Sequence, residues 1–527
     1  STSGCDPLFV AIAQRCRPLR TGLLGLALAL ALPLAPARAL EEVLVELPLL
    51  NTSLRVRLDE LSSPEALLRG NSSLAELDRA SRGQVGEALV ALFHQRLPLS
   101  ISRAAEASVG SPLLEQVLLL VSSFGSVEGV TPDVSGHTLE RTLRRAMAEA
   151  PNGQPTLLEV MKAIPGQRAR LNLSQAAVLL QRMLEQRTLA DRLLARVPPA
   201  PAPTAASAAA PQGATAAPLR RLSQLPVAHR PKPLQLLLLE PQGNGNGRLV
   251  LISHGLWDSP TSFEGWGRRL AAAGYTVVLP WHPGSDQRQQ HEVLSGQTPP
   301  PSPEELALRP LDLTAVVDAI GSGALRTGHP VDSQRVVVLG HSWGATTSLQ
   351  LAGLVPTDSA LLRRCGELNH PERNLSWTLQ CSWTTAVKRS AINDERIIAV
   401  VAVSPPMALL FPRGSGERLN TRVLLVSGSR DWVVPPDPEA IRPLLGVDLQ
   451  GHQLVLAQGG DHFNLRPRDA ADGGVLGALM LAWTDAAFGA GAKVHPAPGM
   501  AALLPSGPWG SATLPLVDVS PALGSGR

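Results

Sequence analysis

Apolar and polar positions follow two different rhythms along this chain. Between residues 40 and 197 the apolar residues recur at helical spacing. Leu139, Leu143, Ala146 and Met147 share one face of a 3.6-residue pattern, while Glu140, Arg141, Arg144 and Arg145 fall elsewhere. Start signals agree with that reading. Ser63-Pro64 has the form of an N-cap followed by proline at the first helical position. Ser73-x-x-Glu76 and Thr156-x-x-Glu159 have the form of capping boxes. The pattern predicts a small, mainly α domain over residues 40–197. His94 and His137 stand alone within it and read as ordinary surface or core histidines.

After residue 230 the rhythm changes. Short, continuous apolar runs at 234–239, 249–253, 275–279, 336–339, 397–403, 423–426 and 453–456 alternate with helical stretches at 263–273, 311–320 and 345–354. Strands that are apolar on both faces and separated by helices imply a mostly parallel sheet covered on both sides, an α/β architecture. Between the two rhythms, residues 198–218 are almost entirely Pro, Ala, Thr, Ser and Gly and read as a linker. The second domain is then 219–492. Residues 493–527, again rich in Pro, Gly, Ser and Ala, are expected to be a disordered tail.

Residues 1–39 read as an export signal. Arg15, Arg17 and Arg20 precede an apolar run at 22–34, and Ala37-Arg38-Ala39 has the small-x-small form of a cleavage site. The run is shorter than the roughly 20 apolar residues of a spanning helix. The expectation is an exported protein, periplasmic or secreted, cleaved near Ala39, with an uncleaved membrane anchor as the alternative. The length of 527 residues fits two or three domains. The 47 basic and 44 acidic residues nearly cancel, which argues against nucleic-acid binding. Of four cysteines, Cys5 and Cys16 fall in the signal. Cys365 and Cys381 remain, as a disulfide in an oxidising compartment or as two thiols.

Gly340-His341-Ser342-Trp343-Gly344 carries the clearest chemistry. This G-x-S-x-G follows an apolar strand and opens a helical stretch, as a nucleophile at a sharp strand–helix turn requires. A serine hydroxyl needs a base. Two later strand ends supply candidates: Asp431, after Leu424-Leu425-Val426-Ser427-Gly428, and His462, after Leu456-Ala457-Gln458-Gly459-Gly460-Asp461. Ser342 is thus the expected nucleophile, His462 the base and Asp431 the acid that orients it. Asp437 competes with Asp431. Asp461 adjoins His462 but is expected to point away, and His452 precedes its strand. The two oxyanion donors are expected at the backbone N–H groups of Trp343 and Leu256. His254, ahead of Leu256, is expected to shape its turn. Trp257, Trp343 and Trp432 adjoin the three loops and are candidates to line an apolar substrate pocket. Neither zinc-ligand spacing nor a phosphate-binding glycine loop is present, so no metal and no cofactor are expected.

His254-Gly255-Leu256, Gly340-His341-Ser342-Trp343-Gly344, Asp431 and Gly460-Asp461-His462 together resemble α/β-hydrolases of the platelet-activating-factor acetylhydrolase and dienelactone-hydrolase-like groups. Trp281-His282-Pro283-Gly284-Ser285-Asp286 and Arg309-Pro310-x-Asp312 resemble the acetylhydrolase side. The N-terminal part resembles a domain of unknown function found ahead of such hydrolases in exported bacterial proteins. The resemblance implies the α/β-hydrolase fold and an esterase, with short-acyl phospholipids among the substrates it suggests and peripheral membrane contact compatible with them. Dienelactone hydrolases proper use cysteine where Ser342 stands. Residues 356–393 read as an insertion of the kind that forms lids. A peptidase or amidase uses the same triad, and a non-catalytic binding protein is the third reading.

Overall fold

The computed structural model describes residues 39–47, 52–198, 217–467, 472–491, 495–504 and 509–523. The expected signal lies outside the described residues but for Ala39, and so does most of the expected linker, at 199–216.

The N-terminal region is mainly helical, and two of its predicted helix starts are present. The Ser63 hydroxyl accepts the Ala66 N–H ahead of a helix over Pro64–Leu68. Thr156 and Glu159 form a reciprocal capping box. The third start is displaced by one residue. Ser72, not Ser73, is the cap, accepting the Ala75 N–H.

The region also holds a sheet absent from the sequence reading. Strands β1 (Glu42–Leu47), β2 (Thr52–Arg57), β3 (Gly125–Val127) and β4 (Arg168–Asn172) pair in the order β2-β1-β4-β3. Their sequences, such as EVLVEL and TSLRVR, alternate with period two, the signature of a half-exposed sheet.

The second region is built on nine strands: β5 (Leu219–Leu225), β6 (Leu234–Glu240), β7 (Arg248–Ser253), β8 (Thr276–Pro280), β9 (Asp332–His341), β10 (Ile397–Val403), β11 (Arg422–Gly428), β12 (Gln453–Ala457) and β13 (Leu516–Asp518). Their order is β13-β12-β11-β10-β9-β7-β8-β6-β5. The run from β8 through β12 is parallel, and β5, β6 and β13 are antiparallel additions at the two edges. Alternation along each strand divides the core. Leu249 and Leu251 of β7 pack with the helices Glu305–Gly321 and Trp343–Leu351. Val250 and Ile252 pack on the other face with the helices Glu264–Ala272 and Gly474–Gly489.

The expected disordered tail is corrected. Leu504, Trp509, Leu514, Leu516, Val517 and Val519 are buried, and β13 pairs antiparallel with β12. Apolar residues spaced through a Pro- and Gly-rich segment are enough to add a strand to the open edge of β12. Ala190 and Leu193 from the N-terminal region belong to the same hydrophobic cluster as the sheet, so the two regions share a core.

Strands β7 and β9 lie side by side, but the crossovers from β7 and into β9 run through β8 on the opposite side. Ligands bind where connections diverge in this way, beyond the carboxyl ends of the strands. Leu256, Ser342, Asp431 and His462 all follow such ends, those of β7, β9, β11 and β12.

Candidate active site

Ser342 sits between β9 and the helix Trp343–Leu351 with φ 55° and ψ −124°, a conformation that L-residues rarely adopt. The turn is over-determined by its surroundings. The Ser342 N–H donates to the Val403 carbonyl at the end of β10, at 2.9 Å. A Cβ on Gly340 would collide with the Gly344 carbonyl, and one on Gly344 with the Ser253 carbonyl. Both glycines of the motif are therefore required by backbone approaching backbone. Gly255 packs against the nucleophile loop: a Cβ there would stand 3.1 Å from the Ser342 Cβ.

His462 Nδ1 and Asp431 Oδ2 are 2.9 Å apart, with the aspartate side chain fully buried. The other oxygen of Asp431 accepts the N–H groups of Val433 and Val434 at 2.9 and 2.8 Å. The carboxylate is thus fixed on both sides. His462 is held from behind by His341, whose Nε2 donates to the His462 carbonyl at 2.9 Å and whose ring lies 4.8 Å from the His462 ring. Burial, followed by the neighbouring His462, pushes the His341 pKa well below that of an ordinary histidine. His341 is therefore neutral, as its position requires. It stands inside the G-x-S-x-G motif, yet the motif gives its second position no role.

The competitors are engaged elsewhere. Asp437 accepts the N–H groups of Leu189 and Ala190, at 2.8 and 2.9 Å, and so caps the helix Thr188–Arg196 of the N-terminal region. Asp461 accepts the N–H groups of Phe463 and Asn464 within its own turn. His452 Nδ1 accepts the Val423 N–H.

Ser342 and His462 line one cavity of about 480 Å³ together with Leu256, Trp257, Val433, Val434 and Phe463. Leu256 stands just beyond β7. Trp343 is the first residue of its helix, where backbone N–H groups lack intrahelical acceptors.

Two of the three tryptophans expected in the pocket are not among its walls. Trp343 points into the core, 4.8 Å from the Trp383 ring and under the Arg309 guanidinium at 4.9 Å. Helix phase directs it away from the serine. Trp432 is 47% exposed and faces Phe463. Only Trp257 lines the cavity. Its indole N–H donates to Gln289 at 2.6 Å, and its backbone N–H to Ser285.

Behind the Leu256 loop lies a second serine–histidine–aspartate chain with no exposed member. Ser253 Oγ donates to His282 Nε2 at 2.9 Å, and His282 Nδ1 donates to Asp312 Oδ2 at 2.8 Å. Arg230 and His229 also donate to Asp312. Burial would raise the Asp312 pKa, but these hydrogen bonds outweigh it and hold the carboxyl well below the usual range. Burial, then the charge of Arg309, lowers His282 to about 3. His254 Nε2 accepts the His282 N–H, its Nδ1 donates to the Gly255 carbonyl, and Arg309 donates to the His254 carbonyl. His254 thus shapes the turn as expected, anchored to this buried network. His282, Arg309 and Asp312 come from the Trp281–Asp286 and Arg309–Asp312 segments, whereas His229, Arg230, Ser253 and His254 lie outside them.

The segment 356–393 forms another wall. Cys365 and Cys381 are joined in a disulfide. Glu439, which the sequence reading did not single out, accepts from Asn374, Ser376 and the Met407 and Ala408 N–H groups at 2.8–2.9 Å. It ties the helix Ser376–Ser382 to the loop after β10. Among the described residues no group of three or more His, Cys, Asp or Glu is arranged to hold a metal ion.

No curated protein matches the chain. The family model described as the alpha/beta hydrolase family matches residues 249–521, more than half the length and every strand from β7 to the end of the sheet. With the strand order and the serine turn already in hand, that match makes the chain a member of the alpha/beta hydrolase family.

Proposed function

We propose that the chain is a serine-dependent carboxylic ester hydrolase acting on lipid esters, short-acyl phospholipids among them, with Ser342, His462 and Asp431 as its triad. The observation that carries the reading is the buried His462–Asp431 pair facing the same apolar cavity as a serine held at positive φ. Ser342 Oγ attacks the ester carbonyl and passes its proton to His462 Nε2. Asp431 holds Nδ1–H and stabilises the imidazolium. The tetrahedral oxyanion rests on the Trp343 and Leu256 N–H groups. The alcohol leaves with the proton from His462, and the acyl group stays on Ser342. Water, deprotonated by His462, then releases the acid.

An apolar cavity favours a substrate with a hydrocarbon part over a polar peptide. A disulfide is the covalent chemistry of an exported protein. It supports export to the periplasm or beyond, and that setting is compatible with peripheral contact with membrane lipid.

The test compares the wild type with Ser342→Ala on p-nitrophenyl esters from acetate to palmitate and on short- and long-acyl phospholipids. The expected loss of kcat is about 10⁴-fold or more. An inert wild type whose Ser342 is not labelled by a fluorophosphonate would overturn the proposal. Turnover of matched amides at rates equal to the esters would move it to a peptidase or amidase.

A further inference from the structure

The hydrolase fold does not close its own cavity. Leu113, Leu114 and Val117, on the helix Pro112–Ser122 of the N-terminal region, line the same space as Ser342 and His462. That helix packs against Ser376–Ser382, which supplies Leu379 to the facing wall. It meets the helix Ser100–Ser108 at 106°. The second helix lies against Gln287–Leu294 of the hydrolase region. Their approach is close: Gly296 has φ +73°, and a Cβ on it would collide with the Arg103 backbone.

The region is also fixed at a distance from the cavity. Asp437 caps the helix Thr188–Arg196, and the Gln186 amide donates to the Pro371 and Arg373 carbonyls at 3.1 and 3.0 Å. A wall held in this way is part of the binding site.

We infer that the N-terminal region completes a pocket for one apolar chain of the ester, and that Leu113, Leu114 and Val117 set the length accepted. This rests on the ester hydrolase reading and narrows its substrate class. The walls these residues and Leu379 provide are aliphatic, and about 480 Å³ is far more than an acetyl group occupies. The occupant is therefore an aliphatic chain of several methylenes, carried on either the acyl or the alcohol side. Each methylene that enters raises kcat/KM about fourfold until the wall of Pro112–Ser122 is reached. Leu114 and Val117 are specificity-determining positions with no part in the chemistry.

The experiment uses the full chain. Specificity constants are measured along p-nitrophenyl esters of increasing acyl length and, separately, along alkyl acetates of increasing alcohol length. Wild type is compared with Leu114→Trp, which fills the pocket, and with Val117→Phe, at a half-exposed position where misfolding is a smaller risk. The readout is the ratio of octanoate to acetate (or of octyl to ethyl acetate), in which the fraction of active protein cancels. The ratio is expected to fall at least tenfold in one of the two series for both variants. Ratios unchanged in both series would overturn the inference and leave the ester hydrolase reading intact.

Binding of 11-dansylaminoundecanoic acid to Ser342→Ala, with and without Leu114→Trp, separates the two claims. If no ester is turned over but the probe binds and Leu114→Trp weakens it tenfold, the hydrolase reading fails and the pocket stands. If the probe binds equally well to both proteins, the pocket assignment fails.

Discussion

At the residue scale, the site depends on backbone contacts as much as on the side chains that would do chemistry. Gly344 illustrates this. Its Cα faces the carbonyls of Ser253 and His254, neither of which can move without shifting β7. Gly344→Ala is expected to cost about 1–3 kcal/mol in urea unfolding and to lower kcat at least tenfold, because any relief moves Ser342 away from the Leu256 loop. Full activity with unchanged stability would show that the approach is looser than drawn.

His282 makes a second residue-scale case. It is wholly buried and neutral, and its pKa of about 3 lies below the ordinary value of 6.5. In the unfolded chain the same imidazole takes a proton below about pH 6.5, so the unfolded state then binds more protons than the folded one. Stability from this group is complete above that pH and falls as the pH drops toward 3, by roughly 1.4 kcal/mol per pH unit. His282→Asn removes the titration. Its stability deficit relative to wild type is therefore expected to shrink between pH 6.5 and 4, as read from denaturant midpoints. A deficit constant over that window would mean that His282 is protonated in the fold. The variant also loosens Ser253 and the Leu256 loop, so kcat should fall while KM changes little.

At the scale of elements, what could be read from the chain follows burial. Strands β6 to β12 were legible because they are continuously apolar, and the ends of β9, β11 and β12 located Ser342, Asp431 and His462. Strand β5, with its Arg220 and Arg221, was missed because an edge strand is only half apolar. β13 has three residues in a tail whose composition suggests disorder. Trp343 and Trp432 were placed in the pocket by their neighbours in sequence, but side-chain direction is set by helix phase and loop conformation, which adjacency does not encode.

In sequence, Cys365 and Cys381 stay open between a disulfide and two thiols, because spacing does not fix geometry; the fold joins them in a disulfide. The bridge ties the segment that carries Ser376–Ser382, a pocket wall, and closes a loop between residues 16 apart. In the chain-entropy account such a link is worth about 3 kcal/mol. The Cys365→Ser/Cys381→Ser double variant should lose about that much in guanidinium unfolding. It should also broaden the acyl-length profile. Loss of stability with an unaltered profile would separate the staple from the wall.

At the scale of the whole molecule, the two regions read as separate domains in sequence because their compositions differ. Their interface consists of buried contacts that no local pattern announces. Several polar links cross it, and the environments of two of them set those two apart. Arg430 and Asp191 pair at 2.7 Å, but both are more than 40% exposed, and such pairs contribute about 0–1 kcal/mol. Asp437 is buried, and its carboxylate is the partner of two N–H groups at the start of Thr188–Arg196, a helix whose own cap position makes no side-chain bond. Removing it strands both donors beside Ala190 in the shared core. Asp437→Ala should therefore cost about 1–3 kcal/mol, whereas Arg430→Ala should be nearly silent. Because Ala190 and Leu193 lie in the core of the sheet, the wild-type chain is expected to unfold in a single calorimetric transition. Asp437→Ala should uncouple an earlier transition, and the octanoate-to-acetate ratio should drop at temperatures between the two, since the Leu114 wall leaves with the region that carries it. Two transitions already present in the wild type would instead show that the shared core is too small to couple the regions, and would make the pocket wall a separable part of the enzyme.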